Sequence, residues 1–400
     1  MDLQSGIPFW LIKSGLPYDY PKLRKSLDTD VLILGGGISG ALAGYYLTNA
    51  GINCTIVDAR EIGMGSTCAS TSLLQYELDM PLHKLKNITG IDNAVKIYRL
   101  CEEAIGKLQK IAADVGLKEF ANKKSLYFAA GKKHVPLLKD EYRIRKENNF
   151  KVDFLEGTEI KKEYNFYAPA AILSHTAAET NAYLFTHLLH QSIIKKGNQV
   201  YERTEVQKIS YSKKNIIATT TSGEIIRAKK VIYATGYEAV NHVSKKIAKL
   251  FSTYANVSEK MDEMHWWNNA VLLWNTADPY LYMRSVNNNQ IIIGGRDEPF
   301  YNPAKRDRLI NIKTAALIKD FNNLFPEKLF KPRFKWTGTF AVTQDSLPFI
   351  GSYHKKPKSY FTLGFGGNGI IFSLLAAEIL TDIIKNKFNP NAHLFSFDRM

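Results

Sequence analysis

A two-domain α/β fold, with a parallel sheet wound on itself and a mixed α+β domain inserted into it, is predicted by three observations. The first is length: 400 residues and 45.2 kDa exceed what one hydrophobic core usually organises. The second is the run Asp30-Val31-Leu32-Ile33-Leu34, a short β-branched block of the kind buried on both faces in a parallel sheet. The third is the glycine turn directly after that run. Gly35-Gly36-Gly37-Ile38-Ser39-Gly40 leads into a helical stretch from Ala41 to Ala50, Gly51 closes that helix, and Cys54-Thr55-Ile56-Val57 forms a second buried strand ending at Asp58. Strand, glycine turn, helix and strand in this order form a βαβ unit of the Rossmann-like type.

The remaining elements come in chain order. Residues before the first strand are rich in proline and aromatics, including Trp10, Pro17 and Tyr20, and read as an extended arm packed on the body. Asp92 to Val115 carries apolar residues at helical spacing, with Asp92 to cap its start and Gly116 its end. A strand is expected at Leu126–Ala130 and a helix over 135–149. Ala182 to Lys195 reads as a further helix, and short strands are expected near 199–209, 215–220 and 224–228. Val231 to Thr235 makes a third buried strand that ends at Gly236. Residues 270–300 alternate as strands around a hairpin turn at Asn287-Asn288-Asn289. Phe361-Thr362-Leu363, a glycine-rich turn and a helix through Leu380 close the chain.

Composition excludes several classes. Hydrophobic residues at 45% and charged residues at 23% are those of a folded chain, which rules out wholesale disorder. The most apolar stretch, Gly369 to Ile384, is broken by Ser373, Glu378 and Asp382, so no transmembrane segment is expected. Three cysteines without CxxC spacing suit neither a disulfide framework nor a thiolate zinc site, and with no secretory signal they point to a cytoplasmic protein. His187 and His190 stand at i and i+3 with no acidic residue spaced to complete a metal site, so no metal is expected. Charge is the unusual feature: 53 Lys+Arg against 38 Asp+Glu give +15. The lysines come as scattered pairs such as Lys123-Lys124, Lys161-Lys162 and Lys245-Lys246 rather than as a block, so nucleic acid is not an expected partner.

The chemistry starts in the glycine turn. Gly35 permits the tight passage from strand to helix, Gly37 lets backbone amides approach a pyrophosphate, and Gly40 lets helix and sheet pack closely. Ile38 and Ser39 sit in the same turn, and Asp58, 18 residues after Gly40, is placed to accept ribose hydroxyl hydrogen bonds. After Asp58-Ala59-Arg60 comes Gly65-Ser66-Thr67 and on through Ser72-Leu73, small and hydroxyl residues that suit a loop beneath a bulky planar ligand.

At this point the sequence resembles the D-amino-acid oxidase, glycine oxidase and sarcosine oxidase superfamily of flavoproteins. Ala234-Thr235-Gly236-Tyr237 supports the resemblance, as do Trp336-Thr337-Gly338 leading to Thr343–Gly351 and the turn Gly364-Phe365-Gly366-Gly367-Asn368-Gly369-Ile370. The matches run from about residue 28 to 385 in the family's order. The resemblance implies FAD as cofactor, with Thr235 and Gly236 near the dinucleotide and Val206 meeting the adenine through its backbone. It implies that the turn from Gly364 to Ile370, with Gly366, Gly367, Asn368 and Gly369, presents amides at the start of the final helix to the flavin edge. The expected organisation is an arm (1–27), an FAD-binding domain from residues 28–90, 150–240 and 335–400, and a substrate domain from 91–149 and 241–334.

The departures from the family pattern matter as much. Glycine oxidases carry Gly-Leu-Arg-Pro before the aspartate, with the arginine on the substrate carboxylate. Here the stretch reads Gly338-Thr339-Phe340-Ala341, so Phe340 replaces that arginine and a bidentate clamp is missing. By the resemblance, Gly338 matches the position where sarcosine oxidases tether the flavin through cysteine, and Ala69 or a close neighbour the position where dimethylglycine-type dehydrogenases use histidine. The FAD is therefore expected to be non-covalent, with Cys68 a buried thiol. Tyr280, Tyr282 and Arg284 alternate onto one strand face. Tyr282, Arg284, Arg296 and Phe340 are the candidate substrate contacts, although either arginine could simply pair with Asp297 or Glu298. The lysine beside the flavin in sarcosine oxidases falls near Ile292, which disfavours an oxidase slightly.

The resulting expectation is FAD-dependent oxidation of the CH–NH bond of an amine or amino acid. Hydride would pass to flavin N5 and the imine would then be hydrolysed, with O2 or an electron carrier as final acceptor. No catalytic base is nominated, and the oligomeric state is open. Two alternatives stand beside it: a tRNA-modifying flavoenzyme acting on a carboxymethylaminomethyl uridine, and a non-catalytic flavin-binding protein.

Overall fold

In the computed structural model the described residues are 1–243, 247–261, 264, 266–286 and 289–399. The β-branched run extends to a strand Leu27–Leu34, which pairs in parallel with Cys54–Val57 on one side and Ile225–Tyr233 on the other. Gln199–Tyr201 and Lys356–Leu363 continue the parallel order outward, and Phe349–Tyr353 adds an antiparallel edge. Val206–Tyr211 and Ile216–Thr220 complete this eight-stranded sheet as antiparallel ribbons. Val31, Leu32 and Ile33 are fully buried, as expected for a strand covered on both faces. The helices Ile38–Asn49, Ala182–Lys195 and Gly369–Ile384 bring the apolar side chains of Leu42, Leu189 and Leu375 into the core that also holds Ile33 and Ile56.

The second sheet has ten strands and is largely antiparallel. Its order runs Gln4–Gly6, Pro332–Thr343, Ala248–Ser258, Gln290–Glu298, Tyr282–Val286, Leu272–Asn275, Phe120–Phe128, Ala170–Thr180 and Leu73–Gln75, with Val152–Glu156 also on Ala170–Thr180. The hairpin of Tyr282–Val286 and Gln290–Glu298 forms with Val286 opposite Gln290. Its expected tip at Asn287-Asn288 and the basic pair Lys245-Lys246 lie outside the described residues.

Three expectations need correction. The expected strands at 224–228 and 231–236 are one continuous strand, Ile225–Tyr233. The N-terminal arm is not simply extended: Gln4–Gly6 is a strand and Phe9–Ser14 a short helix, because Phe9 and Trp10 bury against Trp336 and the aliphatic carbons near Val257. Segments 152–156, 170–180 and 335–343, assigned from sequence to the FAD-binding domain, hydrogen-bond within the ten-stranded sheet. Ala170–Thr180 is rich in alanine and takes its strand geometry from neighbours on both sides rather than from its own propensity.

Candidate active site

A cavity of about 650 Å³ runs between the two sheets, from the Gly35 turn to the start of the final helix. At its first end Gly35 adopts φ +106° and sits against the Ala234 carbonyl, where a Cβ would lie 2.4 Å from that oxygen. Gly40 is as constrained: its Cβ would lie 1.9 Å from the Gly35 carbonyl, so the helix can approach the strand only without a side chain there. The Asp58 carboxylate lines the cavity and accepts from the Gly36 amide (2.7 Å) and the Arg60 amide (2.9 Å). Its pKa is raised by burial, against the pull of those two amides. Thr67 Oγ1 accepts from the Ile38 amide (3.1 Å). His190 lies beneath the turn at 2.9 Å from the Gly36 carbonyl. Burial holds its pKa down at about 4, so the ring is neutral and donates Nε2–H to that carbonyl.

The loop after Asp58 crosses the cavity floor and is pinned from the N-terminal helix and from the other sheet. Trp10 Nε1 donates to the Ser70 carbonyl (2.6 Å) and Trp336 Nε1 to the Ala69 carbonyl (2.9 Å). Arg284 Nη1 donates to the carbonyls of Ser72 (2.9 Å) and Thr180 (2.9 Å). Cys68 is fully buried, and burial pushes its thiol up to about 12.

At the far end the Gly366 amide donates to the Ala341 carbonyl (3.0 Å) and the Gly367 amide to Asp79 Oδ2 (2.9 Å). These two amides are thus already engaged, contrary to the expectation that the whole turn presents its N–H groups. Those of Gly369, Ile370 and Ile371, in the first helical turn, have no intrahelical acceptor and lie on the cavity wall. Asn368 Nδ2 donates to the carbonyls of Gln75 and Glu77, fixing the loop against this helix. Ser39 and Ser373 hydroxyls meet at 2.7 Å, tying the helices Ile38–Asn49 and Gly369–Ile384 together.

Apart from Gly40 and Gly364, which pack behind it, every residue expected at the cofactor lies on the cavity wall, from Gly35 and Asp58 through Val206 and Gly338 to Ile370. Two wall hydroxyls, Ser66 Oγ and Thr235 Oγ1, are buried without a hydrogen-bond partner. Unspent hydroxyls, a carboxylate beside a glycine turn, and a helix start at each end fit the chemistry of a dinucleotide such as FAD.

The four candidate substrate contacts divide. Tyr282 and Phe340 line the cavity; Arg284 and Arg296 do not. Arg284 is buried, pairs with Glu179 at 3.3 Å and holds the loop carbonyls. Breaking such a buried pair costs about 3–5 kcal/mol, which marks it as a structural clamp. Arg296 forks onto Asp320 at the surface, where Nε donates to Oδ2 at 2.7 Å. Neither arginine pairs with Asp297 or Glu298, the partners anticipated for them; Glu298 pairs with Lys313. Ile292, near which the oxidase lysine is expected to fall, is buried in the core beside Trp336 and off the cavity wall.

Asp79, Tyr280, Trp274 and Asp297 join the wall at this end. Tyr280 Oη donates to Asp79 Oδ1 (3.1 Å), and Trp274 stacks on Tyr127 with centroids 3.8 Å apart. Asp297 owes its place to a β-bulge. The register between the strands shifts from Tyr254↔Gly295 to Ser252↔Glu298, so Arg296 and Asp297 together oppose Thr253. Arg296 takes φ +59° there, which sends its guanidinium to Asp320 and turns Asp297 into the cavity. Burial pushes the Asp297 carboxyl up to about 7, against the pull of the Thr253 hydroxyl, and nearby Asp79 raises it further. Alternation alone could not reveal this residue; its neighbours in sequence point elsewhere.

Comparison with known proteins agrees with this geometry. The family model described as DAO, FAD dependent oxidoreductase, matches residues 30–383. The chain is 22% identical over 393 residues to gamma-glutamylputrescine oxidoreductase of Escherichia coli, covering 94% of this chain and 89% of that one. It is 23% identical over 372 residues to glycine oxidase of Geobacillus kaustophilus, covering 90% and 93%. The crystal structure of glycine oxidase from Geobacillus kaustophilus superposes with TM-score 0.78 at 18% identity, covering 93% of this chain and 99% of the other.

Proposed function

The chain belongs to the DAO family of FAD-dependent oxidoreductases, and from that premise we propose that it oxidises the CH–NH bond of a small amine or amino acid. FAD, when bound, supplies the two-electron acceptor for this oxidation. The observation that carries the reading is the single cavity linking the dinucleotide turn at Gly35 to an aromatic end formed by Tyr280, Tyr282, Phe340 and Trp274. The first turn of the final helix would stabilise negative charge on the reduced cofactor through the amides of Gly369 and Ile370. Two sheets and the pinned loop exclude water from the reacting carbon, and the aromatic walls orient it.

The cofactor is held without a covalent bond in this reading, supported by Gly338 and Ala69 on the cavity wall, neither of which can form a tether, and by the inert, buried Cys68. Three buried free cysteines support a reducing compartment, the cytoplasm. No helix among the described residues is long and apolar enough to cross a membrane.

Absorbance of the purified protein before and after acid precipitation, followed by anaerobic mixing with amines and amino acids, tests the proposal. Yellow flavin in the acid supernatant and bleaching by at least one amine are expected. Flavin in the pellet contradicts the non-covalent reading, and absence of bleaching by every amine and amino acid overturns the oxidation itself.

A further inference from the structure

We infer that the ring end of the cavity is built for a positively charged amine that lacks a carboxylate on the reacting carbon, an alkyl di- or polyamine in type. The inference rests on the amine-oxidation reading and sharpens its substrate class. Charge balance carries it. Five carboxylates are buried among the described residues, and each has an arginine. Glu77 and Glu141 have Arg145, Glu179 has Arg284, Glu202 has Arg203 and Asp345 has Arg399. Asp79 and Asp297, on the cavity wall, have no ion-pair partner among the described residues. Asp79 is held only by the Gly367 amide and the Tyr280 hydroxyl. Asp297 Oδ1 is buried with no hydrogen-bond partner at all. Removing a carboxylate from water without a counter-charge is costly, and among the described residues no cation relieves that cost, so a cation entering the cavity would compete with a proton for these two groups.

The rest of the lining agrees. Arg60 and Lys356 are the cations on the described wall. Arg60 pairs with Glu238 beside the Asp58 end, and Lys356 lies over the Tyr233 ring. Phe340 presents an apolar ring on this wall, and both arginines of the substrate strands are spent on Glu179 and Asp320. A carboxylate ligand would therefore face two carboxylates and no cation. A cation would meet Asp79, Asp297 and the faces of Tyr280, Tyr282 and Trp274, which attract positive charge.

The test uses the holoenzyme and two probes that cannot be oxidised, tetramethylammonium and acetate, read by perturbation of the bound flavin spectrum. Tetramethylammonium is expected to bind and acetate not. Asp297→Asn is expected to weaken tetramethylammonium binding by about tenfold or more, the scale of one charge-assisted contact, with FAD content unchanged. A second variant, Phe340→Arg, is expected to reverse the order of the two probes. Binding of acetate in preference to tetramethylammonium by the parent protein overturns the inference, as does unchanged cation affinity in Asp297→Asn. If amino acids bleach the flavin while acetate out-competes the cation, this inference fails and amine oxidation stands. If tetramethylammonium binds and no amine bleaches the flavin, the charge assignment stands and oxidation fails.

Discussion

Asp297 comes directly after Arg296 in the chain, yet the two share nothing in the fold: one turns to the cavity and the other to Asp320. The groups facing Asp297 are Thr253 on the neighbouring strand, Asp79 across the cavity, Lys313 on the helix behind and Asp278 in the adjacent turn. With a carboxyl pKa near 7 in the folded protein against about 4 when unfolded, the native state holds the extra proton between those values. Stability therefore falls as pH rises through that window and levels above it. Thermal unfolding of Asp297→Asn beside the parent should show the variant gaining about 1–2 kcal/mol as pH rises from about 4 to about 8, a figure reduced for partial exposure. A pH-independent difference would contradict the shift. Saturating tetramethylammonium should abolish the gain. At this scale the sequence is legible where chemistry follows from local backbone, as at Gly35, Gly40 and Asp58. It is not legible at Arg284 or Arg296, whose partners Glu179 and Asp320 are brought to them by other elements.

The strand, turn and helix from Leu27 to Asn49 show the rule at the next scale. Their glycines are demanded by contact rather than by loop flexibility. Gly40→Ala places its methyl 1.9 Å from the Gly35 carbonyl and should cost about 3 kcal/mol or more, with loss of FAD. Gly106→Ala provides the contrast: it lies within the long helix Ile91–Asp114 with open space around its Cβ, and should stabilise by up to about 1 kcal/mol. Chemical denaturation of both variants checks the pair, and equal effects would refute the contrast. Elements with a strong period are readable within a residue or two, such as Ala182–Lys195 and Ile91–Asp114. Ala170–Thr180 is not, since alanine carries no strand signal and the neighbouring strands impose the geometry. The helix Ile310–Leu324 is absent from the sequence-based expectation, although Thr314, Leu317 and Phe321 bury along one face.

Across the whole molecule the residues Met1–Gly6 bridge the ten-stranded sheet to the dinucleotide end, where Arg60 Nη2 donates to the Met1 carbonyl (2.9 Å). Gln4, Ser5 and Gly6 pair with Gly338, Thr337 and Trp336, Leu3 lines the cavity, and Arg306 holds Asp2. Deleting residues 1–6 should leave both cores intact and weaken FAD retention by about tenfold, the scale of about 1.4 kcal/mol of lost contact. Flavin release on dilution measures it, and unchanged retention would contradict the bracing role. Domain boundaries could not be placed from sequence for the same reason: the ten-stranded sheet recruits segments from both ends and the middle of the chain. The pairing of Gln4 with Gly338 also has a consequence in time. During synthesis the first strand emerges about 330 residues before its partner, which at roughly 5–20 residues per second is a wait of roughly 15–70 s. The βαβ unit is thus made long before the strand Pro332–Thr343 that holds Gln4–Gly6, and the final helix Gly369–Ile384, which completes the cavity wall, follows later still.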